Sequence, residues 1–135
     1  AVFEGVAFNT KWLLDPVEKF MGRGFQHINF IGGGANSDVW SQIMADVLDR
    51  KIRQVKDPIY SNARGAAFLA SMALKYIMLE DIPQHIQIKA EYNPNPDNRK
   101  KYDEVFAEFI NHYKTQKKAC ARMNKQTPGV CAMPT

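Results

Sequence analysis

An α/β fold is predicted for this chain, with parallel strands flanked by helices. The stretch Ile28–Leu48 orders a short strand, three consecutive glycines and a strongly amphipathic helix. A second strand, Lys51–Val55, follows that helix, and a strand–helix–strand unit makes a parallel pair with a right-handed crossover. Because two parallel strands are too few for a stable sheet, partner strands are expected outside this sequence or in other chains.

The segments before the glycines are predicted to be a helix and then a strand. Residues 1–21 carry apolar side chains at helical spacing, with Pro16 expected to interrupt the helix and Asp15 to cap a restart. Phe25–Ile31 is the first predicted strand, and an exposed edge there would favour self-association of the chain.

After the glycines, two apolar rows predict a helix over 37–49, and Ser61–Met78 is predicted to be the next helix. The packed side of that second helix would consist of small and apolar residues, namely Ala63, Ala66, Ala67, Ala70, Leu74 and Ile77. Glu80–Pro96 is predicted to be extended, because prolines punctuate it. Tyr102–Tyr113 is predicted to be a last amphipathic helix, beyond which the apolar period is lost.

Composition is that of an ordinary globular protein, with 135 residues, 45% hydrophobic and 24% charged. No run approaches the ~20 apolar residues of a membrane span, and no signal-peptide pattern is visible. Cys120 and Cys131 match no zinc-binding spacing, so we expect no metal site and free thiols in the reducing cytoplasm.

The net charge of +4 is concentrated near the end of the chain. Residues 99–125 hold eight Lys or Arg and three acids, which leaves the rest near neutral. We interpret this segment as a solvated helix face and do not expect nucleic acid to bind, because interleaved aromatic residues and a recognisable module are missing. A non-enzymatic interaction module with a basic C-terminal helix is the alternative.

The three glycines Gly32–Gly34 are the main functional signal. Glycine lets backbone N–H groups approach a ligand, and the helix that follows points the positive end of its dipole at an anion. A Walker A loop is excluded, because it needs Gly-Lys-Ser/Thr where this chain has Gly34-Ala35-Asn36.

A dinucleotide-binding fragment remains a second alternative. Gly32 and Gly34 fit the first two glycines of that fingerprint, but Ser37 stands in place of the third. Asp49 or Asp57 would supply the acidic residue, although neither clearly ends a second strand.

Four ordered segments resemble the C-terminal half of FGGY carbohydrate kinases, nearest to the xylulokinase-like branch. They are a Glu-Gly-apolar-Ala-Phe helix within 1–9, the glycine loop and helix at 32–48, an Ala-any-Gly-Ala-Ala helix within 62–70 and a closing helix at 102–113. The likeness covers residues 1–116. Residues 117–135 have no counterpart and are predicted to be an unassigned, flexible tail.

The resemblance implies a partial actin-like, ribonuclease-H-like ATPase domain, whose upstream strands would lie before Ala1. It also implies transfer of the ATP γ-phosphate to a pentulose such as xylulose, with Mg²⁺ and a base from the N-terminal domain. That absent domain would make most of the sugar contacts. The 135-residue chain alone is therefore expected to be inactive and to contain no catalytic residue.

The family's adenosine loop, carried onto this sequence, assigns nucleotide binding to Gly32, Gly33, Gly34, Ala35, Asn36 and Ser37. Ser37 matches a position that often carries Asn in the glycerol-kinase branch, where it contacts the base. A shorter Ser reaches less far, and Asn36 could substitute. Asp38 is expected to support the helix N-terminus, and Arg64 either neutralises phosphate or is solvated.

Overall fold

A computed structural model describes residues 1–124 of the protein. Its helices and strands follow in the order α1 (Val2–Met21), β1 (His27–Phe30), α2 (Asp38–Leu48), β2 (Lys51–Val55), α3 (Ser61–Ala73), β3 (Ile88–Tyr92) and α4 (Pro96–Met123). Residues 1–99 form one compact unit, and of the residues described, those from 100 to 124 belong to a second unit that continues α4.

The three strands form one sheet in the order β1-β2-β3. β1 and β2 are parallel, with His27 opposite Lys51 and Phe30 opposite Gln54, which confirms the predicted parallel pair. β3 pairs with β2 in the antiparallel direction. This third strand lies within Glu80–Pro96, which was predicted to be extended, whereas the first part of that segment is a 3₁₀ helix, Leu79–His85.

The core lies around α2, which packs against both α1 and β2. Its buried apolar side chains are Ala7 and Phe8 of α1, Met44, Ala45, Val47 and Leu48 of α2, Ile52 and Val55 of β2, and Ala35 in the loop after β1. α2 has the apolar rows predicted for 37–49, because one of its faces meets α1 and another meets the sheet.

α1 runs unbroken through Pro16, so the expected interruption is wrong. Pro16 is exposed, and the carbonyl that loses its helical donor there can face water. The next turn is held by Glu18, whose carboxylate accepts from Arg50 Nη2 at 2.9 Å and from the Phe25 N–H at 2.8 Å. Hydrogen bonds from Arg50, then from Phe25, lower the pKa of Glu18.

α3 differs from its prediction in length and in orientation. It ends at Ala73 rather than Met78, and the chain turns at Lys75 with a φ of 61°. The alanines predicted to pack are exposed in the residues that the structure describes, whereas Gly65 and Phe68 are half-buried and face the sheet. The alanine face of α3 therefore points outward.

α4 begins earlier and ends later than the predicted helix. Its start is fixed by the buried carboxylate of Asp46, which accepts from the Asn95 N–H and from Asn98 Nδ2, both at 2.8 Å.

Residues 125–135, which include Cys131 and most of the predicted tail, lie outside the described residues, and the boundary at 116 stays a prediction. Within residues 1–124, no helix is both long and apolar enough to cross a membrane.

Candidate functional site

The loops after β1 and β2 leave the sheet at the same edge, because the two strands are parallel. The first, residues 32–37, contains all six predicted site residues, and we call it the glycine loop. The second, residues 56–60, we call the proline loop. A hydrogen bond from the Gly32 N–H to the Pro58 carbonyl, at 2.9 Å, joins them. Ligands of open α/β sheets bind outside this carboxyl edge.

Gly32 sets the backbone conformation at the start of the glycine loop. Its φ of 85° and ψ of −178° lie in a region open essentially to glycine alone. A single 3₁₀ turn, Gly33–Asn36, follows, and it is closed by the Ala35 N–H on Gly32 O and by the Ser37 N–H on Gly34 O, both at 3.1 Å. Within residues 1–124, the N–H groups of Gly33 and Gly34 donate to no protein acceptor.

Gly33 and Gly34 meet different surroundings. A Cβ atom on Gly34 would lie 2.3 Å from Cζ3 of Trp40, so only glycine fits against that indole ring. A Cβ atom on Gly33 would meet nothing within 4 Å. Gly34 is therefore required for packing, whereas Gly33 borders open space in front of the loop.

The N-terminus of α2 adds a positive end to the same site. Ser37 caps the helix through its Oγ, which accepts from the Trp40 N–H at 3.2 Å, so this hydroxyl already has a role within the protein. Ala35 is fully buried and contributes backbone only. Asn36 is exposed beside the open face of the loop.

Gln54 of β2 is a site residue that the sequence reasoning missed. Its fully buried side chain donates from Nε2 to the Ala35 carbonyl at 2.6 Å and to Asp38 Oδ1 at 3.0 Å. Hydrogen bonds from Gln54, then from Lys89 and Tyr92, lower the pKa of Asp38. The signal available in the sequence was its position, because Gln54 alternates with Ile52 on the strand face opposite to Lys51 and Arg53, and a buried polar group needs hydrogen-bond partners.

Arg64 lies on the other side of the proline loop. Its Nη2 donates to the Lys56 carbonyl at 3.0 Å, so the guanidinium has a backbone partner. It also lines a cavity of about 280 Å³ between the sheet and α3. None of the six predicted nucleotide-binding residues lines that cavity.

Comparison with protein families identifies the chain. Residues 1–74 match the C-terminal domain of the FGGY family of carbohydrate kinases. The chain belongs to this family. Three of the four segments that carried the resemblance, at 1–9, 32–48 and 62–70, lie within the matched range, and so does the glycine loop. The fourth, at 102–113, lies beyond it.

Individual relatives of this FGGY domain include kinases for different substrates. It is 30% identical to xylulose kinase from Bacillus subtilis over 117 residues, which are 84% of this chain and 23% of the relative. It is 27% identical to glycerol kinase from Haemophilus influenzae over 104 residues, 75% of this chain and 20% of the relative. The chain thus spans about a fifth to a quarter of these proteins.

Solved structures agree with the fold. Ligand-bound xylulose kinase from Lactobacillus acidophilus superposes with a TM-score of 0.71 and 29% identity, covering 87% of this chain and 24% of that one. The FGGY domain described here is accordingly part of a C-terminal domain with the actin-like ATPase fold.

Proposed function

We propose that this FGGY domain forms the adenosine side of the ATP site of a sugar kinase. The observation that carries the proposal is the pair of backbone N–H groups of Gly33 and Gly34, which donate to no acceptor within residues 1–124 and lie in the loop at the carboxyl edge of two parallel strands. α2 begins at Asp38, immediately after this loop, so its dipole favours an anion near the loop.

The loop suits a nucleotide held through its backbone. Residues 32–37 contain no lysine or arginine, so N–H groups and the helix dipole supply the attraction to phosphate. Phosphoryl transfer depends mainly on positioning and on charge neutralisation. We assign Gly33 and Gly34 to the adenylate phosphate, with Ala35 as the buried support and Asn36 as the exposed polar group nearest the base. Gly32 and Ser37 keep the loop in shape.

The remaining parts of the reaction are proposed to lie elsewhere in an intact kinase. The phosphate acceptor is proposed to be a pentulose such as xylulose, supported by the several relatives that are xylulose kinases. Mg²⁺ is proposed to bind with the ATP phosphates in the intact kinase. We propose that the 135-residue chain alone does not transfer phosphate. We also propose that the intact kinase is cytoplasmic.

Gly33→Ala tests the proposal without disturbing the fold. The added methyl group meets no protein atom, so the free energy of unfolding should stay within about 0.5 kcal/mol of the wild-type value. The methyl group would occupy the space in front of the loop and should weaken ADP binding at least about tenfold, a loss of roughly 1.4 kcal/mol. Isothermal titration calorimetry of the 135-residue chain measures the affinity, and urea unfolding measures the stability.

Gly5→Ala is the matched control, because its Cβ also meets no atom within 4 Å and it lies on α1. It should leave ADP affinity unchanged. Equal ADP affinity of Gly33→Ala and wild type would refute the assignment of the loop. Titration with NAD in parallel tests the dinucleotide alternative, which would be favoured by tighter binding of NAD than of ADP.

A further inference from the structure

A buried glutamine stands directly behind the glycine loop. Both ends of the Gln54 amide have partners, since Nε2 faces the Ala35 carbonyl and Asp38 Oδ1 while Oε1 accepts from the Tyr92 hydroxyl at 3.4 Å. Because Nε2 has two acceptors and Oε1 has a donor, the orientation of the amide is fixed. Each of these contacts joins β2 to a different part of the chain.

The bond to Ala35 lies at the centre of the loop. The N–H of Ala35 closes the turn on Gly32, and its carbonyl is fixed by Gln54, so both peptide groups of this residue have set directions. Gly32 is fixed in turn by Pro58. The Gly33 and Gly34 amides lie between these two fixed points, so their direction depends on Gln54.

A bulge in β3 supports the Gln54 amide indirectly, through Lys89 and Asp38. Gln54 pairs with Ala90 and Val55 with Ile88, which leaves Lys89 as the extra residue on β3. A bulge redirects a side chain, and Lys89 Nζ lies 3.2 Å from Asp38 Oδ1. The carboxylate that accepts from Gln54 is therefore itself held by a cation from the third strand.

We propose that Gln54 is a positioning residue for nucleotide binding, which directs the Gly33 and Gly34 amides through the Ala35 carbonyl. The inference rests on the proposed function of the loop. Only an amide of this length offers two donors to Ala35 and Asp38 and one acceptor to Tyr92. A carboxylate at position 54 would face a carbonyl oxygen and a second carboxylate, and would repel both.

The test compares Gln54→Glu with wild type in the 135-residue chain. ADP affinity is measured by calorimetry, and the ¹³C resonance of the Ala35 carbonyl and the ¹⁵N–¹H resonances of Gly33 and Gly34 are measured by NMR without nucleotide. We expect ADP to bind about tenfold or more weakly. We also expect the Ala35 carbonyl and both glycine amides to change their chemical shifts, a signature of redirected peptide groups that a general loss of stability does not produce.

Two further variants keep the test decisive. Gln84→Glu makes the same chemical change at an exposed position and should leave the affinity and the Ala35 resonance unchanged. Tyr92→Phe removes only a hydroxyl, which donates to Gln54 Oε1 at 3.4 Å and also contacts the Asp38 carboxylate that accepts from Gln54. It should therefore fold and bind ADP about two- to threefold more weakly. If Gln54→Glu does not fold, Tyr92→Phe decides the question.

The outcomes separate this inference from the function on which it rests. Wild type that binds no ADP overturns both. Wild type that binds ADP, with folded Gln54→Glu binding it equally well, overturns only the positioning role. Weaker binding by Gln54→Glu together with a shifted Ala35 carbonyl supports it. If Tyr92→Phe is the deciding variant, unchanged affinity overturns the inference and weaker binding supports it.

Discussion

The glycine loop and the proline loop leave the same edge of the sheet but present opposite backbone groups. In the glycine loop, the N–H groups of Gly33 and Gly34 donate to no acceptor within residues 1–124. In the proline loop the carbonyls are already in use, since Pro58 O accepts from the Gly32 N–H and from Ser61 Oγ, and Lys56 O accepts from Arg64. The glycine loop therefore has two backbone donors without a protein acceptor, whereas the proline loop holds the glycine loop in position through the Pro58 carbonyl.

This difference has a local cause in the sequence. Three glycines in a row permit the φ of 85° at Gly32 and the close approach of Gly34 to Trp40. Proline at position 58 lacks an N–H and can contribute only an acceptor to the edge. Anion binding is thus expected on one side of the edge only, and substitutions in the two loops should differ in kind.

Gly34→Ala should produce the largest effect on the fold. Its methyl group would lie 2.3 Å from the Trp40 ring, so the indole or the loop has to move, and the free energy of unfolding should fall by about 2 kcal/mol. Urea unfolding by circular dichroism measures the change. Gly33→Ala in the same loop is the matched control. Equal stability of the two variants would show that Trp40 moves aside at no cost and that the packing role of Gly34 is wrong.

Ser61→Ala should produce a moderate effect, confined to the proline loop. It removes the hydroxyl that donates to Pro58 O at 2.7 Å, which should cost about 1 kcal/mol of folding free energy. ADP affinity should change less than in Gly33→Ala, because the Gly32 N–H still holds the Pro58 carbonyl. The same urea and calorimetry measurements apply, with Ser71→Ala, farther along α3, as control. A loss of ADP binding as large as that of Gly33→Ala would contradict the division between the loops.

Asp38→Asn should produce the smallest effect, and one that depends on pH. The Asp38 pKa is lowered by its bonds to Gln54, Lys89 and Tyr92, so the carboxylate stabilises the folded state above the unfolded-state pKa of about 3.9. That contribution is lost as the pH falls through the lower folded-state pKa. Wild type should therefore be more stable than Asp38→Asn at pH 7, with the difference vanishing in acid.

Urea unfolding at a series of pH values between 7 and the acid limit of folding measures this difference. Lys89→Met, which removes the cation beside Asp38, should reproduce part of the loss at neutral pH. A gap between wild type and Asp38→Asn that stays constant down to strongly acidic pH would show that the charge of Asp38 contributes nothing.

Elements specified by neighbouring residues were predictable from the sequence. α2 has its cap at Ser37 and its apolar rows within one stretch, and its observed bounds differ from the prediction by one residue at each end. The parallel pairing of β1 with β2 follows from the short crossover. The location of the glycine loop at the carboxyl edge follows from both.

Features that depend on distant partners were not predictable in the same way. The outward face of α3 depends on which of its side chains the rest of the chain covers, and the role of Gln54 depends on contacts to Ala35 and Tyr92, from a loop and a strand far along the chain. β3 is different, because the alternation of Ile86, Ile88, Ala90 and Tyr92 was present in the sequence. The prediction described Glu80–Pro96 only as an extended segment.

The hydrogen bond between Gly32 and Pro58 has a consequence for local unfolding. It joins the glycine loop to the proline loop, so these two loops form a closed ring together with α2 and β2, which lie between them in the chain. Segments joined in this way tend to open as one cooperative unit. A transient opening of this ring would release both loops in a single step, so the lifetime of the closed ring would set how long the domain stays competent to hold a ligand.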